Sequence, residues 1–235
     1  MRSVKRHGQP VLPGDGETDY ARYMRTDALL ALQRRPDEVL HRDELLFQVV
    51  HQSTELWLKL AVAELTAAAG RIDDGDPGGA ELLLARAALA VRLVTDQLEM
   101  LAHLRPADFQ AMQPALGNGS GAESPGWRQV QAASRRLGLA FDRLLAARGT
   151  TPRALAAADP ADPLCRLAEA MVDWDERVAL WRTRHYTLAI RIGGHGDAGT
   201  KGSPAGWLAR LIDHRFFPAL WQARLKSAAG DGAGA

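Results

Sequence analysis

The sequence predicts an all-α protein, built as a single-domain helical bundle. Apolar residues recur with the 3.6-residue period of a helix along almost the whole chain, and alternating β-branched runs are missing. Clusters of Gly, Pro and Asp at 73–79, 116–126 and 147–163 interrupt this periodicity, which is typical of helix ends. With 235 residues, 46% of them hydrophobic, the chain is long enough to bury a substantial core.

The periodic stretches predict helices near 18–34, 38–68, 78–104, 126–147, 163–193 and 204–226. We expect them to form one domain over 18–226. Residues 1–17 carry charge but lack the apolar core of a signal peptide, and we expect an extended arm there. The Gly- and Ala-rich residues 227–235 are expected to form a flexible tail.

Composition excludes several classes of partner. Lys and Arg number 29 against 28 Asp and Glu, so the net charge of +1 predicts neither nucleic acid nor an acidic membrane surface as a partner. No apolar run approaches the length of a membrane span. Cys165 is the single cysteine, which excludes an internal disulfide or a multi-cysteine zinc site. A reducing, cytoplasmic location is the expectation that fits.

Two histidines lie on helix faces that are otherwise apolar. One face of the 163–193 helix follows spacings of four and three residues without interruption: Leu167, Met171, Trp174, Val178, Trp181, His185, Leu188 and Ile192. In the 38–68 helix, which is apolar around much of its circumference, His51 lies one turn after Phe47. Each histidine is either a core residue with an ordinary hydrogen bond or a ligand for a metal or haem iron.

Other sites are less well supported by the residues. A di-iron bundle needs two Glu-x-x-His motifs, and only Glu38–His41 has that spacing. His51 and Glu55 have the spacing of half a metal site, without a second half. The Gly-rich loop after Gly193 lacks the Gly-Lys-Ser/Thr order of a phosphate loop, and no nucleophile elbow is present.

The stretch His41–Leu65 resembles tryptophan 2,3-dioxygenase, through the residues HRDELLFQVVHQSTELWLKLAVAEL. Further similar stretches follow in the family's order: YARYMRTDALL (20–30), LRPADFQAMQPALGNGSGAES (104–124), LWRTRHYTLAIRIGG with GTKGSPAGWL (180–208) and RFFPALWQAR (215–224). These matches lie in about 17–65, 95–125 and 178–224, roughly half to two-thirds of the chain. The resemblance implies the helical fold of that family and a haem b cofactor with O2 as co-substrate.

The resemblance also implies a role for individual residues. His185 corresponds to the axial ligand of the haem iron, and His51 to the distal histidine that bonds the indole N–H and acts in catalysis. Phe47 corresponds to the aromatic wall of the substrate pocket, and Thr200 to the threonine that binds the substrate's amino and carboxylate groups. Five further positions complete the expected set: Tyr20 and Tyr23 reaching a neighbouring subunit's substrate pocket, Ser120 near the iron-bound ligand, and Leu98 and Trp181 beside the cofactor.

The chain departs from the family pattern in the substrate pocket. The arginine that clamps the substrate carboxylate corresponds to Gln113, and a tyrosine one turn earlier corresponds to Phe109. A charge-assisted bond to a carboxylate contributes about 1.5–3 kcal/mol, which a neutral glutamine does not replace. Lys201, in the Gly-rich loop, either supplies a compensating charge or points to solvent. The segment near 147–163 is also shorter than in typical members.

This resemblance implies a haem oxygenase that inserts oxygen from O2 into C2/C3 of the indole of tryptophan or a substituted tryptophan, in specialised metabolism. Ring-opening dioxygenation and mono-oxygenation to an oxindole-type product both remain open, as does the choice between O2 and peroxide. Hydroxylation of a tyrosine-like phenol, a non-catalytic haem sensor or carrier, and a helical protein without haem are the alternatives. The roles of Tyr20 and Tyr23 imply a homo-oligomer, a tetramer or a dimer.

Overall fold

The computed structural model describes residues 10–117, 119, 121–193 and 205–230. Its described residues form helices and connecting turns, without a strand. This confirms the predicted all-α class. The helices are α1 (Asp19–Met24), α2 (Thr26–Leu30), α3 (Glu44–Asp73), α4 (Pro77–Asp96), α5 (Leu98–Leu101), α6 (Pro106–Leu116), α7 (Pro125–Ala147), α8 (Pro152–Leu155), α9 (Pro163–Gly193), α10 (Ala205–Ile212) and α11 (Pro218–Gly230). A short 3-10 turn spans Gly121–Glu123.

Four long helices, α3, α4, α7 and α9, enclose the main core. Helix α3 packs against α4 and α7, and α4 packs against α9. Fully buried side chains from all four helices meet there, among them Leu58, Leu84, Leu137 and Trp174. The indole N–H of Trp174 donates to Ser134 Oγ at 3.0 Å, so the largest buried side chain also satisfies its polar atom.

The predicted breaks end or start helices as the sequence suggests. Asp76 caps α4 by accepting from Gly79 N at 2.8 Å, with Pro77 as the first helical residue. Ser124 caps α7 by accepting from Trp127 N at 3.1 Å, again ahead of a proline. These caps satisfy backbone N–H groups that lack a partner within the helix.

Several predicted boundaries were wrong. The 18–34 helix is divided at Arg25, whose φ of 54° is left-handed. The helix predicted from 38 begins at Glu44, because the Glu44 carboxylate accepts the N–H groups of Leu40 and His41 and holds that segment in a turn. The helix predicted over 78–104 is interrupted at Gln97, and α6 was not predicted. The 204–226 stretch is two helices, α10 and α11.

A buried carboxylate and a buried guanidinium fix the segment between α10 and α11 onto α9. Asp175 accepts from Phe216 N (2.7 Å), Phe217 N (3.0 Å) and Trp221 Nε1 (3.1 Å). Arg182 donates to the carbonyl oxygen of His214 at 2.8 Å. Both α9 residues are buried, and burial raises the pKa of Asp175 although its three hydrogen bonds oppose the shift.

Residues 10–18 precede the first helix and fold back on it. Asp19 accepts from Val11 N (2.6 Å) and Leu12 N (2.8 Å), and Arg22 donates to the carbonyl of Leu12 at 3.1 Å. The division into an arm, one domain and a tail stays a prediction. Within the described part of the chain, no helix has the length and apolar character needed to cross a bilayer.

Candidate functional site

His185 lies on α9 with its imidazole stacked on an indole. The Trp181 and His185 ring centroids are 4.9 Å apart and the planes differ by 8°, as the spacing of one helical turn allows. The Nδ1 atom of His185 is buried and has no hydrogen-bond partner among the described residues. Burial, with a smaller contribution from His51, lowers the pKa of His185 to about 4. The imidazole is therefore neutral at pH 7, the form that binds a metal.

His51 lies on α3 with its tautomer fixed by the backbone. Its Nδ1 is 2.8 Å from the carbonyl oxygen of Phe47, which only accepts, so Nδ1 carries the proton and Nε2 carries the lone pair. The Phe47 ring stacks on the imidazole, with centroids 4.0 Å apart. His51 keeps exposed surface, yet enough protein surrounds the ring that burial lowers its pKa. Nε2 of this imidazole is therefore available as a hydrogen-bond acceptor.

An apolar cluster connects the two histidines. Val50, Leu98, Leu101 and Leu188 form its buried part, and Phe47, Trp181 and Ile192 are among the side chains that pack against it. The stacking partners of both imidazoles thus belong to one cluster built from α3, α5 and α9. Because Phe47 and Trp181, the ring partners of the two imidazoles, pack on the same cluster, the imidazoles share one region. Leu98 lies in this cluster as a buried residue.

Helix α6 places an aromatic ring next to Phe47. The Phe109 ring centroid is 6.2 Å from that of Phe47. Gln113 follows one turn later and is exposed, so α6 carries an aromatic ring and a neutral amide at the spacing of one helical face. His41 Nε2, 3.6 Å from Asp108, connects α6 to the segment before α3.

Two predicted site residues lie elsewhere in the structure, and two lie outside the described residues. Tyr20 and Tyr23 lie on α1, which packs against α2, and they are 68% and 78% exposed. Ser120 and Thr200 lie outside the described residues, as does Lys201. Their roles stay predictions.

Glu55 has a role that the sequence did not reveal. Its carboxylate accepts the Ser124 hydroxyl at one oxygen and the Gly126 N–H, at 2.9 Å, at the other. It therefore caps α7 and is not half of a metal site with His51, which corrects that alternative. The described residues contain no group of three or more His, Cys, Asp or Glu placed to hold a metal.

Trp127 is a second residue that sequence reasoning missed. It follows the capped start of α7, and its ring lies 4.0 Å from that of Trp181 on the side of the main core. The residues Ser124–Trp127 indicate a helix start, but no sequence signal places this indole against α9.

Comparisons with known proteins point to one family. The family model for tryptophan 2,3-dioxygenase matches residues 5–139, more than half of the chain. The tryptophan 2,3-dioxygenase of Polaromonas sp. is 31% identical over 88% of this chain and 87% of its own length, and that of Caulobacter vibrioides is 31% identical over 88% and 97%. The Exiguobacterium sibiricum enzyme is 28% identical over 89% and 93%. Because the family model matches more than half of the chain and relatives of 31% identity cover 88% of it, the protein belongs to the tryptophan 2,3-dioxygenase family of haem-dependent oxidoreductases.

Proposed function

We propose that this protein binds haem b through His185 and inserts oxygen from O2 into the indole ring of tryptophan or a substituted tryptophan. One observation carries the proposal: two neutral imidazoles share a region bounded by aromatic and aliphatic side chains, and their protonation states suit different tasks. His185 has the lowered pKa of a neutral ligand, and His51 has its lone pair at Nε2.

The residues present fit a haem. His185 would hold the iron, and its buried Nδ1, without a partner among the described residues, is not committed to an ordinary main-chain carbonyl. The apolar cluster that contains Leu98 and Leu188 also includes Trp181, the stacking partner of His185, and has the aliphatic and aromatic composition of a haem pocket wall. When bound, the cofactor supplies an iron atom at which O2 is activated.

His51 and its aromatic neighbours act on the substrate. The Nε2 lone pair of His51 accepts a hydrogen bond from the indole N–H, which orients the ring. Phe47 and Phe109 border the ring and exclude water from it. Because the pKa of His51 is lowered, the imidazole keeps this acceptor at neutral pH.

Gln113 favours a substrate other than plain tryptophan. Its amide is neutral, so it gives a carboxylate one uncharged donor where the resemblance expects a guanidinium. We propose that this exchange, with Phe109, shifts preference toward substituted tryptophans and toward a role in specialised metabolism. Gln113→Arg should tighten binding of tryptophan about tenfold or more. Unchanged affinity would show that the carboxylate lies elsewhere.

Exposure of the N-terminal aromatic residues supports assembly into a homo-oligomer. Tyr20 and Tyr23 present apolar rings on the surface of α1, where a neighbouring subunit can receive them. Removal of residues 1–25 should reduce turnover while the far-UV circular dichroism stays helical. Full activity of the truncated protein would exclude these tyrosines from the substrate pocket.

The decisive experiment combines haem titration with product analysis. We expect the wild-type protein to bind one haem and His185→Ala to lose the spectrum of an imidazole-ligated iron, with the exposed His103→Ala as control. Mass spectrometry after reaction with labelled O2 then counts the oxygen atoms incorporated into tryptophan, methyl-tryptophan and tyrosine. One atom indicates mono-oxygenation and two atoms dioxygenation. Turnover of tyrosine alone, or of no amino acid, would contradict the proposed indole substrate.

A further inference from the structure

We propose that Trp181 is the positioning residue that sets the ring plane of His185, and that Trp127 and Glu55 hold Trp181 in place for this task. The inference rests on the proposed function, because it concerns His185 as the axial ligand. It gives Trp181 a role toward His185, whereas the sequence analysis expected Trp181 to lie beside the cofactor.

An imidazole on a helix needs an external contact to fix its plane. The torsion between Cβ and the ring is broad, so the side chain alone leaves the ring free to turn. Ligating histidines ordinarily gain that contact from a hydrogen bond at the second ring nitrogen. In His185 this atom, Nδ1, is buried without a partner among the described residues. Among the described residues, the contact that can orient the ring is of another kind.

The stack on Trp181 supplies that contact. The two ring planes differ by 8°, so a rotation of the imidazole about its own bond to Cβ would break the parallel arrangement. Trp181 Nε1 is also buried, and among the described residues packing rather than a hydrogen bond locates the indole. Trp181 packs against both the main core and the cluster near the histidines, which gives it a rigid backing.

Trp127, on α7, packs against Trp181 and helps to hold it in place. Its ring lies 4.0 Å from Trp181, at an interplanar angle of 35°. Its backbone N–H is bound by Ser124, whose hydroxyl donates to Glu55. Glu55 lies one turn after His51 on α3. Two adjacent turns of α3 therefore carry His51 and Glu55. Through Ser124 and Trp127, Glu55 supports the indole that stacks on His185.

The test uses the ferric cyanide complex of the haem-loaded protein. Cyanide is linear, so the spread of the haem methyl proton shifts in the NMR spectrum depends on the azimuth of the single axial imidazole. Trp181→Phe keeps an aromatic ring for stacking and should keep the wild-type order of the four methyl shifts. Trp181→Leu removes the stack and should reorder the shifts or compress their spread. Trp57→Leu, the same exchange at a partly exposed position on α3, serves as the matched control.

Each result decides the proposal. A Trp181→Leu protein with the wild-type methyl pattern would overturn it, and so would a Trp181→Phe protein changed as much as Trp181→Leu. If Trp181→Leu does not fold, Trp127→Leu replaces it, with a smaller change in the same direction expected and an unchanged pattern counting against the idea. Failure of the proposed function looks different: the wild-type protein itself would then show no imidazole-ligated haem.

Discussion

Asp175→Asn should cost the protein a substantial part of its stability. The carboxylate accepts three hydrogen bonds from the segment between α10 and α11 and from Trp221, at 2.7, 3.0 and 3.1 Å. An amide oxygen can keep two of these bonds, weakened from about 2 to about 1 kcal/mol each. The amide N–H2 then faces the third donor, which costs about 1–3 kcal/mol for an unsatisfied buried group.

Removal of the buried charge offsets part of this loss of stability. Burial raises the pKa of Asp175, so the charge itself is unfavourable in its site, and its removal recovers roughly 1 kcal/mol. The net expectation is a loss of about 2–4 kcal/mol in the free energy of unfolding. The pair of hydrogen bonds to Phe216 and Phe217 makes the effect cooperative, because both N–H groups belong to one turn.

Guanidinium chloride unfolding, followed by far-UV circular dichroism at pH 7.5 and one protein concentration, measures this loss. Asp173→Asn is the matched control: it is the same exchange on the same helix at an exposed position, and it should change stability by less than about 0.5 kcal/mol. An Asp175→Asn midpoint equal to that of the control would refute the reasoning, because it would mean that the three donors lose nothing.

Three further outcomes follow from the contacts of single residues. Gly126→Ala should destabilise the protein by about 1–3 kcal/mol, since a Cβ there would lie 2.9 Å from Leu58 Cβ. Gly70→Ala, with open space beside it, should instead stabilise the protein by about 0.5–1 kcal/mol, and thermal unfolding of both variants checks the opposite signs. Glu55→Gln should cost about 1–2 kcal/mol by weakening the α7 cap, and a chemical denaturation midpoint unchanged from wild type would contradict that role. In the haem-free protein, burial lowers the pKa of His185 from 6.5 to about 4, so between these pH values the unfolded chain binds a proton that the folded chain does not. The free energy of unfolding should therefore fall by about 3 kcal/mol between about pH 6.5 and about pH 4 and level off below, and urea unfolding at several pH values should show this slope in the wild type and not in His185→Gln.

The fold class was predictable because helix formation is local. The period of apolar residues and the composition of the breaks depend on neighbours a few residues apart, and the caps at Asp76 and Ser124 lie where the sequence indicates. The boundaries near Glu44 and Arg25 were less predictable. A carboxylate that reaches back to two backbone N–H groups and a single left-handed residue compete with a helical pattern that looks continuous.

The candidate site, like the fold, was predictable only in part. The positions of His51 and His185 on apolar faces were visible in the sequence, as was the family resemblance that gives them roles. In the sequence Glu55 shows only the spacing of half a metal site with His51, without a second half. Spacing along α3 does not reveal that the partner of Glu55 is the start of α7, about seventy residues later in the chain. Helix α6, with Phe109 and Gln113, was not predicted as a helix, although Pro106 suits a first helical position.

By itself the sequence determined that the chain is helical, which stretches form the four long helices, and that two imidazoles lie on apolar faces, because each of these properties is set by residues within one or two turns of each other. Tertiary structure alone decided that the imidazoles flank one apolar cluster, that burial lowers the pKa of each, and that the indole stacked on His185 is braced from α7. Burial, long-range hydrogen bonds and ring stacking act between residues distant in the chain, and a pattern of spacings contains no distance across the core.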